Sequence, residues 1–322
     1  VIEGRRLALL ANAPTRTRDG LDIRLLANAE SAADVALART RGADGVGLYR
    51  TEFLFLRHKD LPSEDEQFIA YRDLVLGMGG LPVTIRTLDL GADKADAAGL
   101  VMQGEENPAL GVRGVRLSLR YPAVFSTQIR AILRVKPLGQ CRIMVPMVAS
   151  LSELRAVRAV LDEAKREMGI AERIELGVMI ETPAAAMTAD LLAAEADFLS
   201  IGTNDLTQYV LAMDRGNPAV AAGVDALHPA VLRMIGETCR LAATHGRWVG
   251  VCGGLASDPA ALPILVGLGV TEISAVPGFV AEAKQVVRRL TLVEARAHAD
   301  LALQCKSAAD VRALARAFED TR

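Results

Sequence analysis

Short apolar runs of four to six residues recur eight times along this chain, and stretches with helical periodicity lie between them. Apolar runs of this length, closed by turn residues, are typical of strands buried on both faces, as in a parallel sheet. The predicted strands cover residues 23–27, 46–49, 83–88, 143–147, 176–180, 198–201, 249–252 and 273–276.

The helical stretches complete an alternation of strand and helix. They cover residues 31–41, 64–78, 151–168, 183–196, 229–245 and 259–266, and a last helix is predicted over 308–318. Pro follows a capping residue at Thr182-Pro183, His228-Pro229 and Asp258-Pro259, and Ser152-Glu153 is a further start signal. Eight strands in this alternation predict a (β/α)8 TIM barrel of the α/β class. A doubly wound open sheet is the alternative, although it normally has fewer strands.

Two segments depart from the simple repeat. Residues 91–136 are longer than one crossover helix requires, so an elaborated loop with two helical pieces around Tyr121-Pro122 is predicted after strand 3. Residues 1–20 are Arg-rich and contain Pro14 and an Asp19-Gly20 turn signal, which predicts a linker or arm with a short hairpin. Residues 21–322 then form one barrel domain. The start at Val1 lacks an initiator Met and a signal-peptide pattern, and we interpret it as an interior cut in a longer protein.

Composition excludes several classes of protein. Hydrophobic residues make up 51% of the chain and mean hydropathy is +0.25, which is incompatible with a mainly disordered state. A net charge of −2 and 4% aromatic residues give no footprint for nucleic acid. No apolar stretch approaches the roughly 20 residues that span a bilayer. Four cysteines without CxxC spacing indicate free thiols in a reducing compartment, so we predict a cytoplasmic protein.

Two of the predicted strands are each followed by a carboxylate, Glu181 after the fifth and Asp205 after the sixth. In a barrel, the carboxyl ends of the strands carry the binding site. Two carboxylates there could bind one hard divalent cation through oxygen ligands. From spacing alone, caps on the helices that follow are the more common role of such residues, so both interpretations stay open.

Arginines also lie at the predicted strand ends. Arg50 and Arg86 lie at the ends of predicted strands two and three, and Arg215 is in the segment after strand six. A buried guanidinium must be paired, and its planar fork suits a carboxylate or a phosphate. The three side chains either form an anion pocket beside the metal or make structural ion pairs with nearby acids, namely Glu52, Asp89 and Asp214.

Cys252 ends strand seven and is followed by Gly253-Gly254, which allows close approach of backbone or ligand. A lone cysteine is more often a small buried hydrophobe, but a thiol here could transfer a proton. The four histidines have no metal-ligand spacing. The residues by themselves therefore indicate a metal-assisted enzyme that acts on a small, multiply anionic substrate.

Five longer motifs together resemble Enzyme I of the bacterial phosphoenolpyruvate:sugar phosphotransferase system, from about Leu21 to the end of the chain. They are GLYRTEFLF at 47–55, RTLDLGADK at 86–94, ENPALGVR at 106–113, GVMIETPAA at 177–185 and SIGTNDLTQY at 200–209. The resemblance is to the C-terminal phosphoenolpyruvate-binding barrel, which also mediates dimerisation in that family. It implies a homodimer that binds phosphoenolpyruvate and releases pyruvate.

The resemblance also implies roles for individual residues. Glu181 and Asp205 would hold Mg²⁺, and Cys252 would protonate the enolate carbon as pyruvate forms. The phosphoryl group would be bound by side chains from several motifs, namely Arg50, Arg86, Arg215 and Asn204, with Arg113 and Lys94 near the pocket. Such a division suits phosphoryl transfer, which depends on positioning and charge neutralisation.

The sequence departs from the family pattern in three places. It lacks the Thr-Ser-His signature of the phosphate-accepting histidine, which the family carries on a separate N-terminal domain. We therefore expect a half-enzyme that cannot autophosphorylate alone and that passes the phosphoryl group, through its own N-terminal domain, to the histidine phosphocarrier protein. Gly254 replaces the Glu of free-standing Enzyme I and resembles the fused multiphosphoryl transfer proteins. Residues 275–279 lack the expected serine-rich turn.

Three other interpretations remain. The pyruvate phosphate dikinase and phosphoenolpyruvate synthase group shares the barrel and much of the motif set. A metal-dependent aldolase would use the same carboxylate pair on pyruvate. A regulatory or dimerisation module with a degenerate site would bind no substrate, although intact Arg50, Arg86, Glu181, Asp205 and Cys252 argue against it.

Overall fold

Eight parallel strands close into a barrel in which each strand pairs with the next along the chain and the last pairs with the first. The computed structural model of the chain describes residues 10–11, 13–57, 60–91, 100 and 104–321. The strands are β1 (Arg24–Ala29), β2 (Val46–Tyr49), β3 (Val83–Arg86), β4 (Cys141–Val145), β5 (Glu175–Ile180), β6 (Phe198–Ile201), β7 (Val249–Val251) and β8 (Glu272–Ala275). The predicted TIM barrel is confirmed, and the open-sheet alternative is wrong.

Helices surround the barrel. Among the described residues the α-helices are α1 (Ala32–Thr40), α2 (Glu52–Leu56), α3 (Glu64–Gly77), α4 (Val115–Arg120), α5 (Pro122–Val135), α6 (Leu151–Met168), α7 (Pro183–Met187), α8 (Ala189–Glu195), α9 (Thr203–Leu211), α10 (Pro229–Ala243), α11 (Leu262–Leu268), α12 (Val280–Arg289), α13 (Leu292–Gln304) and α14 (Ala308–Asp320). Single 3-10 turns lie at Pro108–Leu110, Lys136–Leu138, Ala221–Gly223, Gly254–Ser257 and Pro277–Phe279. None of the described helices is both long enough and apolar enough to cross a membrane.

Local capping chemistry explains where several helices begin. The α6 helix starts after Ser150. The Ser150 hydroxyl accepts a hydrogen bond from the Glu153 amide, and the Glu153 carboxylate accepts one from the Ser150 amide, so Ser150 rather than the predicted Ser152 is the cap. The predicted start at Asp258-Pro259 is wrong, because the α11 helix begins only at Leu262. The predicted helix over 183–196 is two helices that meet at Thr188. The two pieces predicted around Tyr121-Pro122 are confirmed as α4 and α5.

A layer of charged and aromatic side chains closes the end of the barrel where the strands begin. Arg142 on β4 reaches Glu272 on β8 at 3.4 Å, and Arg24 on β1 reaches the same carboxylate at 2.8 Å. Below them the rings of Phe198 and Trp248 are stacked, with centroids 4.7 Å apart. We call these five residues the barrel floor. Because the floor occupies the barrel interior at this end, we expect a ligand site inside the barrel at the opposite rim, where the strands end.

The segment before β1 turns back on itself and lies against the helices that follow β8. Arg16 and Asp22 form an antiparallel bridge, so the predicted hairpin is present. The Arg18 amide donates to the Leu290 carbonyl at 2.8 Å, and the buried Lys284 Nζ donates to the carbonyl of Ala11 at 3.1 Å. The division of the chain at residue 20 stays a prediction.

Candidate functional site

Three carboxylates meet at the rim formed by the C-terminal ends of the strands. One oxygen of each of Asp89, Glu181 and Asp205 lies within 4.8 Å of the others. Glu181 is not a helix cap, because Thr182 caps the α7 helix, and Glu181 instead accepts from the Met147 amide at 2.8 Å. Asp205 is inside the α9 helix rather than at its cap position. The capping interpretation is therefore wrong for both residues.

The electrostatics of the cluster favour a bound cation. Burial, with the charges of Asp205 and Asp89, raises the pKa of Glu181 well above its ordinary value. Burial opposes ionisation of Asp205 as well, but Arg113 and Arg215 outweigh it and lower the pKa of that carboxyl. Three converging oxygen donors, among which the ionisation of Glu181 is opposed by burial and by the neighbouring carboxylates, fit a hard divalent ion such as Mg²⁺.

Arg113 forms ion pairs with two members of this cluster, Asp89 and Asp205. The Arg113 guanidinium lies 2.9 Å from an Asp89 oxygen and 3.1 Å from an Asp205 oxygen, so it bridges the two carboxylates. Sequence reasoning considered Asp89 only as an ion-pair partner and missed it as a third member of the cluster. Its position three residues after the end of β3 was the available signal.

Arg86 is buried at the end of β3, and only part of its hydrogen-bonding capacity is used by described partners. Its Nη2 lies 3.1 Å from Glu52 and its Nη1 lies 3.5 Å from Asp89, so the predicted pair with Asp89 exists together with a second one. Within the described chain, the buried Nε has no hydrogen-bond acceptor. A buried donor without a partner is costly, and an anionic ligand at the rim would satisfy it.

Arg50 and Arg215 lie on the same rim, but not in the ion pairs considered from sequence. Arg50 contacts Glu30 at 2.6 Å instead of Glu52, and Arg215 lies 3.6 Å from Asp205 instead of pairing with Asp214. Both side chains are part-exposed, at 35% and 47%, so each can turn toward a ligand. The interpretation of Arg50 and Arg215 as structural ion pairs with Glu52 and Asp214 is therefore wrong about the partner of each arginine.

Cys252 is buried directly after β7. Burial, with the nearby Glu181 charge, raises the pKa of its thiol to about 11, so the sulfur carries its proton at neutral pH. The adjoining loop is tightly packed: a Cβ on Gly253 would lie 2.1 Å from the Thr203 hydroxyl. The Gly254 amide donates to Asn204 Oδ1 at 2.9 Å, which places Asn204 against the cysteine loop. Lys94 lies outside the described residues.

A buried polar network behind the rim supports the end of β3, and sequence reasoning did not find it. Gln128 on α5 accepts from the Leu88 amide at 2.9 Å and donates to the Thr51 hydroxyl at 3.2 Å. The Thr51 hydroxyl in turn donates to the Arg86 carbonyl at 3.0 Å. The backbone that carries Arg86 and Asp89 is therefore fixed from outside the barrel.

Comparison with known proteins identifies relatives of the whole barrel. The family described as "PEP-utilising enzyme, PEP-binding domain" matches residues 5–292. The multiphosphoryl transfer protein of Xanthomonas campestris is 49% identical over 302 residues, covering 94% of this chain and 36% of that protein. The phosphoenolpyruvate-protein phosphotransferase of Cupriavidus necator is 46% identical over 328 residues, covering 98% and 56%. The chain thus spans about a third to a half of these curated relatives.

Solved structures share the fold at low identity. A citrate lyase from Burkholderia xenovorans has a TM-score of 0.52 at 16% identity, covering 97% of this chain and 95% of that one. A malate synthase from Haloferax volcanii, solved as a magnesium and glyoxylate complex, has a TM-score of 0.55 at 14% identity, covering 82% and 75%. Both likenesses concern the barrel fold alone.

Proposed function

Because this chain belongs to the family of PEP-utilising enzymes and matches its PEP-binding domain, we propose that its barrel binds phosphoenolpyruvate with Mg²⁺ and prepares the phosphoryl group for transfer to a histidine on another domain. The observation that carries this proposal is the convergence of three carboxylates, buried Arg86 and the Cys252 thiol on one rim. Phosphoenolpyruvate has the matching charges, with a phosphate and a carboxylate on a three-carbon unit.

Glu181 and Asp205 are the proposed cation ligands, and Asp89 is close enough to assist them. The ion would neutralise negative charge on the substrate and so favour transfer of the phosphoryl group. Gly202 supports this geometry, because a Cβ there would lie 2.7 Å from the Glu181 side chain and displace it.

Arg50, Arg86 and Arg215 are the proposed contacts for the phosphoryl group, assisted by Asn204 and Arg113. Arg86 is held by Glu52 on one edge, which leaves its unpartnered Nε for the substrate. The two part-exposed arginines would exchange Glu30 and Asp205 for the anion when it arrives. Positioning of this kind supplies most of the rate enhancement in phosphoryl transfer.

Cys252 is the proposed acid. The acceptor histidine attacks phosphorus, and the bond between phosphorus and the enol oxygen breaks. The enolate of pyruvate then takes the Cys252 proton at C3 to become a methyl group, and solvent returns a proton to the thiolate. A raised thiol pKa suits this step, because the proton stays on sulfur until the enolate forms.

The activity of the whole protein is part of the proposal. Relatives named phosphoenolpyruvate-protein phosphotransferase and multiphosphoryl transfer protein support an Enzyme I role. The Enzyme I resemblance further implies a part in sugar uptake, a cytoplasmic location and a homodimer, and these belong to the proposal. Transfer would continue from an N-terminal phosphohistidine domain to the histidine phosphocarrier protein. These names also favour Enzyme I over the dikinase and synthase group.

Isothermal titration calorimetry with phosphoenolpyruvate tests the proposal on the chain itself. We expect saturable binding that requires Mg²⁺, and a loss of at least tenfold in affinity for Arg86→Gln, since a charge-assisted contact is removed. Thr84→Val on the same strand is the matched control, because the buried Thr84 hydroxyl has no described partner. Absence of binding at millimolar ligand would refute the proposal and favour a dimerisation module.

A second measurement separates the half-enzyme from a complete one. After incubation with phosphoenolpyruvate labelled at phosphorus, we expect no stable phosphohistidine on residues 1–322, because none of the four histidines lies in a Thr-Ser-His signature. Labelled protein would contradict this expectation. Release of pyruvate from a hydroxy-keto acid would instead favour the aldolase alternative.

A further inference from the structure

Two buried polar side chains outside the proposed substrate contacts form a relay to Cys252. The Ser274 hydroxyl on β8 lies 2.7 Å from Asn28 Oδ1, and Asn28 Nδ2 on β1 donates to the Cys252 carbonyl at 3.0 Å. Asn28 is 8% exposed and Ser274 is 2% exposed. The relay thus connects β8 and β1 to the residue that directly follows β7.

The chemistry of the partners fixes the direction of the relay. The Cys252 carbonyl can only accept, so the Asn28 amide must present its NH₂ group to it. The Asn28 oxygen then faces Ser274, whose hydroxyl donates. Gly47 makes room for this arrangement, since a Cβ there would lie 2.5 Å from the Ser274 hydroxyl.

The relay and β6 together hold the backbone of Cys252 by hydrogen bonds from two sides. On the side of β6, the Cys252 amide donates to the Ile201 carbonyl at 3.0 Å, and the thiol lies 3.6 Å from the same oxygen. On the other side, β8 ends at Ala275, and Asn28 reaches the Cys252 carbonyl from the strand beyond it. With its amide and its carbonyl both held, the backbone of Cys252 has one orientation, and the contact of the thiol with the Ile201 carbonyl then sets the direction of the sulfur.

We propose that Asn28 and Ser274 are positioning residues that fix the Cys252 thiol for proton delivery to one face of the enolate. This inference rests on the proposed function, because it assigns Cys252 the role of acid. The hydrogen bonds described for Asn28 and Ser274 go to each other and to Cys252, not to a proposed contact of the phosphoryl group or the cation, so we expect the relay to affect the proton step rather than substrate affinity.

The test is the alkylation rate of each cysteine with iodoacetamide, resolved by peptide mass spectrometry. In Asn28→Ala, we expect Cys252 to react about tenfold faster, because its carbonyl loses a buried partner and the loop opens more often. Cys141 and Cys239 are buried elsewhere and report global opening, and their rates should not change. Asn28→Asp keeps the acceptor for Ser274 but loses the donor, so it should behave like Asn28→Ala.

Ser274→Ala and Thr84→Val form the second pair of variants. Ser274→Ala frees the Asn28 amide to turn, so Cys252 should again react several-fold faster, whereas Thr84→Val removes a hydroxyl without a described partner and should change nothing. An unchanged Cys252 rate in the folded Asn28 and Ser274 variants would overturn the inference. A rise shared equally with Cys239 would do the same, since it indicates general destabilisation.

Substrate measurements distinguish this inference from the proposed function. We expect Asn28→Ala to bind phosphoenolpyruvate with Mg²⁺ as tightly as the parent chain, but to exchange the methyl protons of pyruvate for deuterium about tenfold more slowly by NMR. Lost affinity together with slow exchange would contradict a pure positioning role. If the parent chain binds no phosphoenolpyruvate, the proposed function fails, while the alkylation rates still decide whether the relay holds Cys252.

Discussion

Replacing Glu181 with Gln should stabilise the metal-free protein and abolish its stabilisation by Mg²⁺. Burial and the charges of Asp205 and Asp89 raise the pKa of Glu181, so the folded protein binds a proton that the unfolded chain has released. The contribution of Glu181 to stability therefore falls as pH rises from the ordinary pKa of a glutamic acid through the raised one. Gln is neutral at every pH and avoids this loss.

The size of the effect follows from the separation of the charges. Oxygens of the three carboxylates lie within 4.8 Å, and two unit charges at that distance repel by about 3.5 kcal/mol at an effective dielectric constant of 20. Arg86 offsets part of this repulsion, so we expect a net gain of about 1–3 kcal/mol for Glu181→Gln at neutral pH. The melting temperature would rise by roughly 2–6 °C. The amide oxygen of Gln can still accept from Met147.

Thermal and urea unfolding, followed by circular dichroism, measure this change with EDTA and with excess Mg²⁺. The parent chain should gain stability with Mg²⁺ by mass action, whereas Glu181→Gln should not. Glu172→Gln is the control, because Glu172 is exposed and its replacement should stay within about 0.5 kcal/mol. A metal-free Glu181→Gln protein that is less stable than the parent, or one that still responds fully to Mg²⁺, would refute the reasoning.

Three further outcomes are expected. The affinity for Mg²⁺, measured by calorimetry, should increase as pH rises through the raised pKa of Glu181, because the ion must displace the proton of that carboxyl group. A pH-independent affinity would contradict the assignment of Glu181 as a cation ligand. Gln128→Leu should lower the free energy of unfolding by about 1–3 kcal/mol and weaken phosphoenolpyruvate binding, since it leaves the Leu88 amide without its acceptor and removes the donor to the Thr51 hydroxyl; unchanged affinity would separate this network from the site. Arg142→Met should cost about 1–3 kcal/mol in urea unfolding at about pH 8, because the buried Glu272 then keeps only the part-exposed Arg24 as its partner. The cost should be smaller at about pH 5, since burial raises the pKa of Glu272 and protonation neutralises it; a deficit that grows toward low pH would exclude this account.

The fold was readable from the sequence because each strand is a buried apolar run bounded by turn residues. All eight predicted strands exist, with ends shifted by at most a few residues. Helix ends were less predictable, since they depend on which residue makes the capping bond: Ser150, not Ser152, caps the α6 helix. The short α2 helix carries apolar and acidic residues in five positions, too few to show a period.

The site was predictable as a set of residues but not as a set of contacts. Arg86 is the last residue of β3, while Glu181, Asp205 and Cys252 follow strands, and the strand ends of a parallel barrel converge. Partner choice depends on side-chain direction across the rim, which spacing along the chain does not encode. Arg50 therefore pairs with Glu30, twenty residues earlier, rather than with Glu52 two residues away.

The barrel floor also contains the intrinsic fluorophore of this protein. Trp248 is the single tryptophan of the chain, and it is stacked on Phe198 with the Arg24 and Arg142 guanidinium groups 4.7 Å and 5.1 Å from its ring. Because Trp248 is half-buried, we expect its emission to report both these charges and solvent at the end of the barrel opposite the carboxylates. Fluorescence of the unmodified chain will follow the opening of the floor, and ligands at the rim will require a different probe.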